Sequence, residues 1–199
     1  MDHEPTWPFQ RMWCKPSVGL ATPVPGASFM RKSPQTDEYW LRFRHAFPAA
    51  PADYRLLWFG DADVALATKL ALLVERGPKR ATTALLRDFE TGIEPVFPKP
   101  GDLWLVVDGD GMPRCVVRTT RVDITAFGKV DDQFAWDEGE GDRTLADWRE
   151  GHTRYFTRQA TAQGFEFGDA TQVVLERFTV IWPPDVADPS DHELPRTSA

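Results

Sequence analysis

Two long runs of helical periodicity, residues 61–76 and 144–163, end at Gly77 and Gly164, and each leads toward a run of β type. This alternation constrains the fold most. A helix stopped by glycine must turn, and its apolar stripe must then find cover. In the first run Asp61 or Asp63 is placed to cap the helix, and Val64, Leu66, Ala67, Leu70, Leu73 and Val74 form a broad apolar face. In the second, Thr144 and Asp147 have the spacing of a capping box, and Trp148, His152, Tyr155 and Phe156 recur at helical intervals. Shorter helices are predicted over 37–46, with Thr36 as cap, and over 130–136. Strands are predicted over 80–87, 103–107, 115–125 and 171–182.

The turn Asp108-Gly109-Asp110-Gly111 makes a hairpin of the middle two strands. It lacks the long loop and closing glutamate of a calcium-binding hand. In the third strand Val116, Arg118, Thr120, Val122 and Ile124 share a side. In the last, Val173, Leu175, Arg177, Thr179 and Ile181 face one way and Val174, Phe178 and Val180 the other. The order helix, helix, strand, hairpin, helix, strand predicts an α+β fold: a small, mostly antiparallel sheet or barrel with helices at its side.

Residues 1–35 carry six prolines, a density that forbids regular helix or central strand, and read as an extension before a single domain over 36–183. After Pro183-Pro184 a polar tail, 184–199, is predicted to be disordered. The net charge of −7 argues against coating a polyanion, so no DNA duplex is expected as partner. Cys14 and Cys115 form neither a disulfide framework nor a zinc pattern, which points to a reducing, cytoplasmic setting. No membrane span or signal peptide is recognised.

Chemistry concentrates in two loops. In Gly77-Pro78-Lys79-Arg80-Ala81-Thr82 a helix stop, a cation and a hydroxyl lie within six residues. In Asp137-Glu138-Gly139-Glu140-Gly141-Asp142 four carboxylates repel one another unless a cation is near, and Lys79 is the obvious one. Thr82 is a nucleophile only if a neighbour takes its proton, and Lys79 does that only if kept partly neutral. The same groups also suit a phosphate, with Lys79 as point charge and Thr82 as donor. His152 reads either as a proton shuttle or as a packed ring. No metal-ligand spacing occurs and no cofactor is assigned.

These residues together resemble the ASCH domain family of the PUA-like superfamily. Gly77-x-Lys79-x-x-Thr82 matches its GxKxxT signature. Lys99-Pro-Gly-Asp102, Arg118-Thr-Thr-Arg-Val122, Phe134-Ala-x-x-Glu138-Gly-Glu140-Gly-Asp142 and Trp148-Arg-x-x-His152-x-x-Tyr155-Phe156 follow in order, as in its larger bacterial members. The resemblance spans about residues 55–183. It implies a small β-barrel with flanking helices and a cleft beside the GxKxxT loop. It also implies RNA-related roles: ribonuclease action on single strands, hydrolysis of N4-acylated cytidine, or RNA binding without catalysis. In the hydrolases a lysine, a threonine and a glutamate act together. Lys79 and Thr82 match the first two; Glu140, then Glu138, matches the third. Gly77, Arg80, Thr83, Arg118, Arg121, Trp136 and His152 are the implied substrate contacts, with RNA or a modified nucleoside as partner.

Overall fold

The computed structural model describes residues 31–60 and 63–189. The proline-rich 1–30, and Asp61 as a candidate cap, lie outside the described residues. Five strands form one sheet in the order β1-β3-β4-β5-β2, curled into a half-barrel with helices packed on it. The strands are β1 (Arg55–Leu57), β2 (Ala81–Leu85), β3 (Leu103–Val107), β4 (Pro113–Ala126) and β5 (Gln172–Trp182). All pairings are antiparallel except β1 with β3, so the fold is the mixed α+β arrangement that was predicted.

The helices are α1 (Pro34–Ala46), α2 (Val64–Glu75), α3 (Leu86–Glu90), α4 (Asp132–Glu138) and α5 (Leu145–Gln163). Asp63 caps α2 by accepting from Ala65 N and Leu66 N. Thr144 caps α5 by accepting from Asp147 N. The cap of α1 is Ser33, not Thr36. Thr36 instead closes a capping box as its N3 residue.

Three departures have physical reasons. β2 stops at Leu85 rather than Arg87: beyond Thr83 no β-branched residue follows until Thr91, and Leu86–Glu90 turns helical as α3. β1, only three residues long, was not predicted because it is too short to show a period. The single face expected along β4 is broken, because Thr120 is an extra residue opposite Phe178 and Arg177, while Ile181 is extra on β5 opposite Val116 and Val117. Each bulge flips the side-chain parity and deepens the curl.

One face of the sheet packs Trp104, Val106, Val117, Phe178 and Val180 against Leu70, Ala71 and Val74 of α2. Farther along β5, Val173 and Leu175 join Phe134 of α4 and Trp148 and Phe156 of α5. Burying each such large side chain contributes roughly 1.5–3 kcal/mol. The tail does not leave the domain at Pro184. Asp188 accepts from Arg80 Nε and a terminal guanidinium nitrogen at 2.7 Å, from Thr179 Oγ1 at 2.9 Å and from Val180 N at 2.8 Å. Residues 190–199 lie outside the described residues.

Candidate functional site

Backbone contacts bring the two loops together. Arg80 N donates to Asp137 O at 2.8 Å. Gly139 ends α4 in the left-handed region, φ 69°, and lies flat on the Pro78–Lys79 peptide. A Cβ there would stand 2.6 Å from Pro78 C and 2.7 Å from Lys79 N, so only glycine fits. Gly77 is glycine for a different reason from the one its sequence position suggests. Its φ is not left-handed, but a Cβ would press on Leu73 Cα and O at 3.0 Å.

Lys79 is 0% exposed. Its Nζ donates to Glu140 Oε1 at 2.5 Å and to Glu138 Oε1 at 3.5 Å, and lies 5.3 Å from the centre of the Phe59 ring. Glu138, equally buried, accepts on Oε2 from Thr83 Oγ1 at 3.0 Å and from Trp148 Nε1. His152 Nε2 stands 3.4 Å from Glu138 Oε1, and its Nδ1 is 3.0 Å from Trp148 O. The imidazole stacks on the Trp148 indole, centroids 4.2 Å apart. Both ring nitrogens therefore face oxygen acceptors, an arrangement that suits only the doubly protonated imidazolium.

The charges follow. Burial opposes the positive charge of Lys79, but Glu140 and Glu138 outweigh it and hold its affinity for a proton above the ordinary lysine value. Burial likewise opposes charge on His152, and Glu138 outweighs it. Glu138 resists burial through His152 and Lys79 and is held well below the usual carboxylate range. Two cations and two anions thus form a neutral tetrad. Its exposed member is Glu140, whose side chain is 32% accessible. Lys79 is thereby held as an ammonium, with the Glu140 and Glu138 carboxylates as its acceptors.

The threonines divide between the two faces of β2. Thr83 joins the tetrad. Thr82 lies on the opposite face, where its ladder partner across β5 is Glu176. Among the described residues the Thr82 hydroxyl has no hydrogen-bond partner. The other expected contacts are dispersed. The Arg80 guanidinium is held by Asp188 and by the carbonyls of Val74, Gly77 and Lys79. Arg121 pairs with Asp123 at 2.7 Å, and Arg118 is half-buried and already engaged. Trp136 is 54% exposed, with the Arg143 guanidinium 3.7 Å over its ring.

Glu176 was not singled out from the sequence. Its carboxylate, on a residue only 6% exposed, accepts from Thr119 Oγ1 at 2.5 Å, and Thr119 Oγ1 accepts from Trp104 Nε1 at 3.0 Å. Burial, reinforced by Asp102, pushes its pKa up to about 7. The signal lay in the pattern Val174, Glu176, Phe178, Val180: one acid on an otherwise apolar strand face. Among the described residues no cluster suits a metal ion, and no helix is long and apolar enough to cross a membrane.

A family model of the ASCH domain matches residues 55–182. The crystal structure of an ASCH domain from Lactobacillus crispatus JV V101 is similar to this chain, with 31% identity and a TM-score of 0.64, covering 72% of this chain and 92% of that one. A protein from Enterococcus faecalis V583 is similar at 29% identity and a TM-score of 0.66, covering 73% and 86%. No curated protein matches the sequence.

Proposed function

The chain belongs to the ASCH domain family, and from that premise we propose that it is a hydrolase of a small amide-bearing nucleoside of the N4-acylated cytidine class. The observation that carries this reading is Lys79: a wholly buried ammonium held from below by Glu138 and covered on its solvent side by Glu140. Such a charge is suited to a developing oxyanion in a water-poor site. In this reading the substrate carbonyl oxygen displaces Glu140 from Lys79, whose ammonium also lies beside the Phe59 ring that packs on Phe178, and so borders the β5 face of Phe178 and Glu176 that Thr82 shares. Glu138 with His152 keeps the ammonium in place, and Thr82 attacks the carbonyl carbon.

A small substrate is favoured over a long strand. Net charge is −7, and the guanidinium groups of Arg80 and Arg121 are engaged within the protein. The test is to incubate the purified protein with N4-acetylcytidine and to follow cytidine and acetate, alongside Lys79→Ala. Turnover that falls at least ~100-fold in the variant is expected, the scale on which an oxyanion donor acts. Intact N4-acetylcytidine after prolonged incubation with folded protein overturns the reading, and cleavage of a single-stranded RNA offered in parallel replaces it with the ribonuclease.

A second reading, RNA binding without chemistry, is favoured by the exposed Trp136 with Arg143 stacked on it. Saturable quenching of tryptophan fluorescence by single-stranded RNA, lost in Trp136→Ala and without product, is its mark.

A further inference from the structure

We infer that Glu176 is the general base that takes the proton of Thr82, an assignment that rests on Thr82 being the nucleophile of the proposed hydrolase. Three observations carry it. Lys79, the base the motif suggests, is an ammonium clamped by two carboxylates and has no lone pair to offer. Thr82 and Glu176 are direct ladder partners of β2 and β5, so their side chains leave the same face with Cβ atoms roughly 5 Å apart. Glu176 is buried with neutral partners, Thr119 and Trp104, rather than with a cation that would hold it permanently ionised.

The charged groups around it support this. Asp102 at the start of β3 is a like charge, and is itself paired with Arg55 of β1 at 3.5 Å. Arg177, next in the chain, turns away to Asp137. Lys79 is held by Glu140 and Glu138. The resulting pKa near 7 suits a group that must both take and return a proton near neutrality.

The steps balance. Thr82 Oγ forms a bond to the acyl carbon as its proton passes to Glu176, and the carbon–N4 bond breaks as that proton passes on to N4, releasing cytidine. Water then attacks the acyl-threonine, giving its proton to Glu176. That proton returns to Thr82 Oγ as the ester opens, releasing the acid.

A β-lactone tests the base without requiring nucleoside recognition. Ring opening joins Thr82 Oγ to the lactone carbonyl carbon, and the proton taken by Glu176 ends on the ring oxygen. The full chain is treated with the lactone over a pH series, and the Thr82 peptide is read by mass spectrometry. Wild type should label at Thr82 with a rate that rises through about pH 7. Glu176→Gln should label at least ~100-fold more slowly, as general-base loss implies. Thr119→Val, which removes the hydrogen bond favouring the ionised carboxylate, should move the midpoint to higher pH. It serves also if Glu176→Gln does not fold. Equal labelling of wild type and Glu176→Gln, no labelling of wild type, or an unmoved midpoint in Thr119→Val overturns the assignment. Labelling of Thr82 by a protein that leaves N4-acetylcytidine intact retains Glu176 as base and sinks the proposed substrate instead.

Discussion

Gly139 lies directly on the backbone of Lys79, closer than any side chain permits: a Cβ at 139 would stand 2.7 Å from Lys79 N. This contact, and not the ion pairs alone, sets where the buried ammonium sits relative to Glu138 and Glu140. Gly139→Ala adds that Cβ and also forces a left-handed φ of 69°. The two costs together should lower unfolding free energy by about 2–4 kcal/mol. Urea unfolding measures this, and a change below ~0.5 kcal/mol would show that the loop moves aside at no cost.

Glu138 is the anion shared by Lys79 and His152, so its neutralisation should be felt by both. Glu138→Gln should destabilise the protein by roughly 3–5 kcal/mol, because buried cations lose their partner. The ring of His152 reports this directly by nuclear magnetic resonance. In wild type its pKa lies above the ordinary value despite burial, owing to Glu138. In Glu138→Gln burial should win, and the pKa should fall below that value. A histidine with a raised folded pKa contributes stability fully below its unfolded pKa, about 6.5, and loses it as pH rises through the folded one. The alkaline decline of wild type should therefore be absent from the variant.

Much of this site could be read in the sequence, and what could not has identifiable causes. Lys79 and the 137–142 loop announce each other because four clustered carboxylates need a cation. Which threonine accompanies Lys79 was hidden. Strand neighbours point to opposite faces, and parity depends on a start at Ala81 that no residue type marks. Helical spacing places Trp148 on one stripe with His152 and Phe156, and it does pack there, but spacing could not show that its indole N–H also donates to Glu138. Glu176 escaped notice because its partners Thr119 and Trp104 lie on other strands, beyond a bulge at Thr120 that periodicity cannot reveal.

Arg80 reads in sequence as a ligand contact, yet its guanidinium ties the end of α2 and the loop after it to Asp188. Arg80→Ala should therefore cost stability, about 2–3 kcal/mol for charged hydrogen bonds lost in a half-buried place. It should leave KM for N4-acetylcytidine unchanged in the folded protein. A large rise in KM with little change in Tm would assign Arg80 to substrate instead.

Glu176 should make the protein less stable at neutral pH than its amide. Its folded pKa of about 7 lies above the ordinary carboxylate value because burial disfavours the charge. The native state therefore holds the proton more tightly than the unfolded chain does. The stabilising effect of that proton is complete below the unfolded value and is lost progressively as pH rises toward about 7, after which the cost of the buried charge is constant. Gln at 176 keeps the shape and still accepts from Thr119, but carries no charge at any pH. Glu176→Gln should thus match wild type near pH ~4 and exceed it by roughly 3–4 kcal/mol at about pH 8, the energy equivalent of the shift. Urea unfolding at the two pH values reads the difference. Equal stability at both would mean that the Glu176 carboxylate is solvated in solution, and with that the case for a base tuned to neutrality would fail.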